Sequence, residues 1–129
     1  MNEKSPHRVL IIEDDPDSAE SLKMLLEINN YTVDFALDGE SGLDKAVRFE
    51  PQIVVCDIGL PGKVNGLQFA ETLRRNEKTR AVYLIALSGY GQSEDVSEAK
   101  MAGFDDYLVK PVDFDKLIKL IEKYKTVSK

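Results

Sequence analysis

The chain has 129 residues, a formal net charge of −6 and a sequence pI near 4.8. This length fits one domain with its own buried core, which we expect over residues 1–129, with the core at about 8–124 and an exposed N-terminal arm at 1–7. This acidic charge argues against direct nucleic-acid binding, which needs a basic face. The longest apolar run, Ala81–Leu87, has seven residues, far below the roughly 20 of a membrane span. A single cysteine, Cys56, excludes an internal disulfide and is typical of the reducing cytoplasm.

Five short apolar runs, rich in β-branched or aromatic residues, predict five strands. They are Val9–Ile12, Val33–Leu37, Ile53–Cys56, Val82–Leu87 and Tyr107–Val109. We expect a helix after each strand, because the intervening stretches have helical spacing.

Helix boundaries are predicted by a few local signals. Asp15 is the expected N-cap of the first helix with Pro16 in its first turn, Gly103 is the expected stop of the fourth, and Asp113 is the expected cap of the fifth. The residues assigned to the inward-facing stripes are Leu22, Leu25, Leu26 and Asn29 in the first helix, Leu43, Ala46 and Val47 in the second, Leu67, Ala70 and Leu73 in the third, Val96, Ala99 and Met101 in the fourth, and Leu117, Ile118, Leu120, Ile121 and Tyr124 in the fifth.

Strict alternation of strands and helices predicts an α/β fold with a parallel sheet covered on both faces. Right-handed crossovers make an open doubly wound sheet the economical arrangement for five strands, since a closed barrel would need about twice this length. Ligands bind such sheets in the crevice outside the carboxyl ends of the strands.

Four of the five predicted strands deliver a charged or hydroxylic residue to this edge. Glu13 and Asp14 follow the first strand, Asp57 the third, Ser88 the fourth and Lys110 the fifth. Three clustered carboxylates repel one another unless a cation joins them, and oxygen ligands of this kind suit Mg²⁺. A lysine and a hydroxyl suit an anion that arrives with the metal. The set predicts phosphoryl chemistry with Asp57 as nucleophile, because aspartyl phosphates are an established covalent route.

In four blocks the chain resembles the response-regulator receiver domain of two-component signalling: VLIIEDDPD, VVCDIGLPG, IALSGYG and YLVKPVD. The blocks occur in the family's order, and the resemblance runs from about Val9 to Lys123. It implies a flavodoxin-like sheet with strand order 2-1-3-4-5 and five helices.

The resemblance also implies roles for individual residues. Asp57 would be the phosphoacceptor, and Ser88 and Lys110 would assist its phosphorylation. Mg²⁺, for which Mn²⁺ can substitute, would be held by Glu13, Asp14, Asp57 and the backbone carbonyl of Gly59. Ser88 and Tyr107 would form the conformational switch, and the peptide bond before Pro111 would be cis.

By the same resemblance the chain is not an enzyme in its own right but a phosphoacceptor that assists its own phosphorylation and dephosphorylation. Its donor would be a phosphohistidine of a sensor kinase or histidine phosphotransfer protein, recognised near the first helix. Its output would go to a downstream protein effector or a fused kinase, through the surface of helix four, strand five and helix five. A phosphorylation-dependent dimer is a further expectation, with no direct nucleic-acid contact and no membrane insertion. A stand-alone regulator and a receiver belonging to a hybrid kinase are both open.

Two features depart from the family pattern. Gly66, nine residues after Asp57, stands one residue further along than the family's loop glycine, and Gly59 leaves the position two after the acceptor without a side chain. Neither of two rival classes fits well: a flavodoxin would need a hydroxyl-rich phosphate loop where EDDPD stands, and an Asp-nucleophile phosphatase would need a carboxylate in place of Gly59. A receiver-like scaffold that is never phosphorylated remains the alternative.

Overall fold

The computed structural model describes residues 7–89 and 93–127. Within them strands and helices alternate throughout. The elements in chain order are β1 (Arg8–Ile12), α1 (Pro16–Ile28), β2 (Thr32–Ala36), α2 (Gly39–Phe49), β3 (Ile53–Asp57), α3 (Gly66–Arg75), β4 (Tyr83–Ser88), α4 (Ser93–Ala102), β5 (Asp106–Val109) and α5 (Phe114–Val127).

The five described strands form one parallel sheet in the order β2-β1-β3-β4-β5, as the sequence predicts. The register pairs Ile12 with Cys56, and Asp57 with Leu87. Consequently β1, β3 and β4 end at nearly the same level, and the residues that follow them meet at one edge of the sheet.

Each face of the sheet carries its own hydrophobic core, because successive strand side chains point to opposite faces. In β1, Leu10 and Ile12 pack on the face covered by α2, α3 and α4, where Phe69 is fully buried. Val9 and Ile11 pack on the opposite face with residues of α1 and α5. Burying apolar side chains of this size contributes roughly 1.5–3 kcal/mol each, so the strand ends rest on a stable support.

Three residues assigned to inward stripes lie elsewhere. In α1 the buried residues are Ala19, Leu22 and Leu26, whereas Leu25 is 40% exposed and Asn29 is exposed. Met101 of α4 is 88% exposed, because a residue two positions after the buried Ala99 points to the other side of a helix. The predictions of buried helix faces were wrong at Leu25, Asn29 and Met101. They are confirmed at Leu22 and Leu26 of α1.

The predicted helix boundaries are confirmed with one difference in chemistry. Asp15 is the N-cap of α1 and Pro16 follows it, but the Asp15 carboxylate accepts a hydrogen bond from Ser18 Oγ (2.8 Å) and not from a backbone N–H. Gly103 ends α4 with a φ of +119°, a left-handed conformation that favours glycine. Cys56 is fully buried in β3.

Residues 1–6 of the expected N-terminal arm lie outside the described residues. His7 is described and is half-buried, with its ring edge-on to Tyr124 of α5 at a centroid distance of 6.4 Å. His7, the last residue of the expected arm, is thus partly packed against α5. None of the helices described here has the length and apolarity needed to cross a membrane.

Candidate functional site

Three carboxylates meet at the carboxyl edge of the sheet. Glu13, Asp14 and Asp57 each offer one oxygen, and these three oxygens all lie within 4.8 Å of one another. Glu13 and Asp57 are only 2% and 7% exposed, while Asp14 is exposed to solvent. Two buried acids beside an open one form a pocket of oxygen donors that a hard cation can enter from solvent.

Lys110 joins the two buried acids. Its ammonium nitrogen Nζ donates to Asp57 Oδ2 (2.7 Å) and to Glu13 Oε1 (3.0 Å). Burial of the amine lowers the pKa of Lys110, but the hydrogen bonds and charges of Asp57 and Glu13 outweigh this, and the net effect is a raised pKa. Lys110 therefore stays protonated and offsets part of the acidic charge.

Backbone groups fix Lys110 and the second oxygen of each buried acid. The Lys110 N–H donates to the Ser88 carbonyl (2.7 Å), and the peptide bond from Lys110 to Pro111 is cis. The Gly59 N–H donates to Asp57 Oδ1 (2.8 Å), and the Asp15 N–H donates to Glu13 Oε2 (3.1 Å). Asp57 and Glu13 are thus held in defined orientations before any ligand arrives.

The loop between β3 and α3 runs from Asp57 to Gly66, the residue at which α3 begins. Gly66 lies against the backbone of the loop's own beginning: a Cβ there would lie 2.4 Å from Ile58 Cα and 2.7 Å from the Asp57 carbonyl oxygen. Asn65 caps α3 through a reciprocal pair of hydrogen bonds with Gln68. The loop therefore returns close to the end of β3, where Gly66 leaves no room for a side chain.

Ser88 and Tyr107 lie on the α4 side of Asp57. Ser88 ends β4 and is 5% exposed, and Tyr107 of β5 is half-buried against the core under α4. Together with Asp57 they line a small depression of about 120 Å³, which we call the α4 pocket. Its lining residues are Asp57, Ile58, Gly59, Leu67, Ser88, Gly89, Asp95, Glu98 and Tyr107.

A second depression lies on the other side of the acidic cluster. This α1 groove has a volume of about 380 Å³ and is lined by Glu13, Asp17, Ser18, Ser21, Leu22, Leu25, Leu87, Lys110, Pro111 and Val112. The exposed Leu25, together with Met24 and Ile28 on the same helix, makes the α1 surface beside it apolar.

A larger depression, of about 510 Å³, lies at the opposite edge of the sheet, far from the acids. There the Arg74 guanidinium donates to the carbonyls of Val82 (2.7 Å) and Gly103 (2.9 and 2.7 Å). Arg74 thereby ties together the segments that precede β4 and β5, which is a structural role.

The structure brings all the predicted site side chains to one edge of the sheet: Glu13, Asp14, Asp57, Ser88, Lys110 and Tyr107. Sequence reasoning missed Asp95 and Glu98, which line the α4 pocket beside Asp57. A signal was available, because two acids three residues apart share one face of the helix that follows Ser88.

Comparison with known proteins gives the class of protein. The family model of the response regulator receiver domain matches residues 9–122. The chain belongs to this family and is a receiver domain of two-component response regulators. The predicted flavodoxin-like fold and the predicted family are confirmed.

Particular relatives are consistent with this membership. The chain is 37% identical over 111 residues to the DNA-binding dual master transcriptional regulator RpaA of Synechocystis sp., covering 86% of this chain but only 46% of RpaA. It is 34% identical to an uncharacterized 14.6 kDa protein of Leptolyngbya boryana, with 90% and 88% covered. Among solved structures, the receiver domain of the sensor histidine kinase PA1611 from Pseudomonas aeruginosa, which has a magnesium ion coordinated in its active site cleft, superimposes with a TM-score of 0.83 at 26% identity, covering 92% and 97%.

Proposed function

We propose that Asp57 accepts a phosphoryl group from a phosphohistidine in a Mg²⁺-dependent reaction and that the domain then changes conformation to signal to a protein partner. The observation that carries the proposal is the environment of Asp57. Its carboxylate is buried, held by Lys110 and the Gly59 N–H, and within 4.8 Å of two further acids. An aspartate with a purely structural role at a strand end does not need a lysine, a backbone donor and two further acids around its carboxylate.

In the proposed reaction a carboxylate oxygen of Asp57 forms a bond to phosphorus. The bond from phosphorus to the histidine nitrogen breaks, and its electron pair remains on the imidazole. Lys110 neutralises charge on the oxygens around the transferred group, and the Ser88 hydroxyl donates to a phosphoryl oxygen. The Gly59 N–H keeps the carboxylate oriented for attack. The phosphoryl group stays on the protein's own side chain, which is why the domain is an acceptor and not an enzyme acting on a separate substrate.

The donor set around Asp57 fits Mg²⁺, which prefers carboxylate and carbonyl oxygens together with water. Glu13, Asp14 and Asp57 would hold the ion with the Gly59 carbonyl, and Mn²⁺ would substitute because it shares this preference. When bound, the ion offsets the charge of the phosphoryl oxygens. The magnesium in the PA1611 receiver domain supports this assignment.

The α1 groove is the proposed docking site of the histidine donor, a sensor kinase or histidine phosphotransfer protein. One end of the groove is formed by Glu13 and Lys110, which are hydrogen-bonded to each other next to Asp57. Along α1 it is bordered by Leu25 (40% exposed), with Met24 (61%) and Ile28 (76%) on the same helix. An apolar helical face beside the groove suits an amphipathic helix that carries the phosphohistidine to the acids.

A substitution in the groove separates docking from chemistry. Leu25→Asp is expected to slow phosphoryl transfer from a phosphohistidine protein by about tenfold or more, because it puts a charge into an apolar contact. Phosphorylation by a small donor should be unchanged. Met101→Asp introduces the same charge at an apolar residue of α4 that is 88% exposed, and this control should leave transfer intact. Equal slowing with both donors would mean that Leu25 supports the site and not the docking.

The proposed output passes to a protein effector or a fused kinase, or to a second copy of the domain, through α4, β5 and α5. The chain's net charge of −6 argues against direct nucleic-acid contact, which needs a basic face. The DNA-binding activity named for RpaA belongs to a protein of which this chain covers less than half. A cytoplasmic location is proposed because kinases of this system present phosphohistidine there and the single cysteine is unpaired.

Intact-mass measurement with Mg²⁺ and a small phosphodonor tests the proposal. Wild type should gain one phosphate that hydroxylamine removes, and Asp57→Asn should gain none. The metal chelator EDTA should abolish the gain. No phosphate on wild type under any of these conditions, or from a phosphohistidine donor, would favour the alternative of an unphosphorylated scaffold.

A further inference from the structure

The α4 pocket and the α1 groove are two depressions beside the acidic cluster. Asp57 lines the α4 pocket and is not among the residues that line the α1 groove. The α4 pocket therefore offers a small donor a route to the acceptor carboxylate. A protein donor docked in the α1 groove needs to insert only its imidazole.

The α4 pocket carries two acids besides Asp57. Asp95 is half-buried and Glu98 is exposed, and their spacing of three residues places both on one face of α4. The described cation at the site, Lys110, is turned toward Asp57 and Glu13, from the α1 side. A ligand in the α4 pocket thus faces the two α4 carboxylates directly.

Small phosphodonors differ in the charge they bring to this pocket. Acetyl phosphate is a dianion, and when Asp57 oxygen bonds to its phosphorus the phosphorus–oxygen bond to the acyl group breaks and acetate leaves with the electron pair. Phosphoramidate is a monoanion with an ammonium group. Its phosphorus–nitrogen bond breaks, and neutral ammonia leaves. The carboxylates of Asp95 and Glu98 therefore repel the dianionic acetyl phosphate more strongly than the monoanionic phosphoramidate. They also repel the departing acetate, whereas the departing ammonia is neutral.

We propose that Asp95 and Glu98 determine donor specificity by making the α4 pocket reject anionic acyl phosphates in favour of N-phosphoryl donors. The inference rests on the proposed function, because it concerns the phosphorylation of Asp57. Asp95 and Glu98 act here as specificity residues and take no part in bond making. This repulsion protects the domain from phosphorylation by acyl phosphate metabolites and does not hinder transfer from a phosphohistidine.

Donor competition tests the inference. Rates of Asp57 phosphorylation by acetyl phosphate and by phosphoramidate are measured with Mg²⁺ for wild type, Asp95→Asn, Glu98→Gln and the double variant. The ratio of the acetyl phosphate rate to the phosphoramidate rate should rise about two- to tenfold in the double variant, and by less in each single variant. Glu77→Gln, an equally charge-neutralising change on the exposed loop before β4, should leave the ratio unchanged.

Ionic strength gives a second readout that needs no variant. Raising the salt concentration should raise the same ratio in wild type, because screening weakens the repulsion, and should change it little in the double variant. A ratio that is the same in wild type and double variant, with Asp57 phosphorylated by both donors, overturns the inference and leaves the proposed function intact. Failure of every donor, including phosphohistidine, would overturn both.

Discussion

The Lys110 ammonium lies 2.7 Å from Asp57 Oδ2, so β5 is joined to the end of β3 by a charge-assisted hydrogen bond across β4. The same ammonium also reaches Glu13 after β1. Any group attached to Asp57 must alter this contact. We therefore expect phosphorylation of Asp57 to act first on β5, the strand that borders α4 and α5.

The acidic cluster leads to a prediction about metal binding. One ammonium cannot neutralise three carboxylates, so Mg²⁺ should relieve the remaining repulsion and bind only the folded state. At a concentration of about 100 times its Kd, Mg²⁺ is expected to add about 2.7 kcal/mol to the free energy of unfolding and to raise Tm by roughly 5–10 °C. Differential scanning fluorimetry measures the shift.

Asp14→Ala supplies the matched variant, since Asp14 is exposed and its removal leaves the packing intact. The Mg²⁺-induced rise in Tm should largely disappear in this variant. Without metal, the variant should be at least as stable as wild type, because it has lost a repelling charge. A wild-type Tm that does not respond to Mg²⁺ would count against the metal site.

The second prediction concerns the conformational switch. The phosphoryl group on Asp57 carries about −1.5 to −2 charge, a net change of about −1 because the carboxylate charge is lost, and it brings three acceptor oxygens that Ser88 and Lys110 are placed to bind. Ser88→Ala and Tyr107→Ala should still accept phosphate on Asp57 but should lose the phosphate-dependent change in amide exchange over residues 88–112. Hydrogen–deuterium exchange with and without phosphate measures this. Changes confined to the α1 region would contradict the switch.

Much of the site could be predicted because strand ends are visible in the sequence. Each buried run stops at a polar residue, and parallel strands bring those residues to one edge. Asp57 and Lys110 are 53 positions apart in the chain yet are hydrogen-bonded in the structure. The parallel sheet was enough to expect both residues at one edge, and the strand order was implied by the resemblance to the receiver family.

Other features depend on packing that no local pattern specifies. The exposure of Leu25 depends on which face of α1 packs against β2. The position of Asp95 and Glu98 depends on how α4 packs beside β5. Apolar and acidic spacing fixes one face of a helix but not its rotation against the sheet. The bond from the Gly59 N–H to Asp57 also involves a backbone group, which carries no mark in the sequence.

The third prediction concerns Gly66 in the lengthened loop. Gly66→Ala would place a Cβ within 2.4 Å of Ile58 Cα and 2.7 Å of the Asp57 carbonyl oxygen. Because backbone cannot move aside as a side chain can, we expect a loss of about 1–3 kcal/mol in the free energy of unfolding. Gly59→Ala is the control, since its Cβ would find its nearest neighbour at 3.6 Å, and it should cost far less. Urea unfolding compares the two, and equal losses would contradict the contact.

The fourth prediction concerns the pH dependence of stability. The Tyr31 hydroxyl donates to Glu122 Oε2 (2.6 Å), and this hydrogen bond is the main cause of the lowered pKa of Glu122. A carboxyl group whose pKa is lowered by folding stabilises the fold fully above its ordinary pKa of 4.5, and this stabilisation is lost as the pH falls through the lowered value.

Tyr31→Phe removes the donor and should cost about 1 kcal/mol at pH 7, since Glu122 is largely exposed. The difference from wild type should shrink as the pH falls below 4.5. Tyr124→Phe on α5, whose described contacts are ring contacts with His7 and Tyr83, should show no such trend. Urea midpoints across this pH range measure the effect, and a constant difference for Tyr31→Phe would contradict it.

The most direct test of Asp57 as the phosphoacceptor is to locate the phosphoryl group on the chain. The phosphorylated protein is treated with borohydride, which reduces an aspartyl phosphate to homoserine, and the reduced position is read by tandem mass spectrometry of its peptides. We expect homoserine at position 57, formed only when Mg²⁺ and a phosphodonor were present. Homoserine at position 14, or a stable phosphate on Ser88 with Asp57 unchanged, would contradict it.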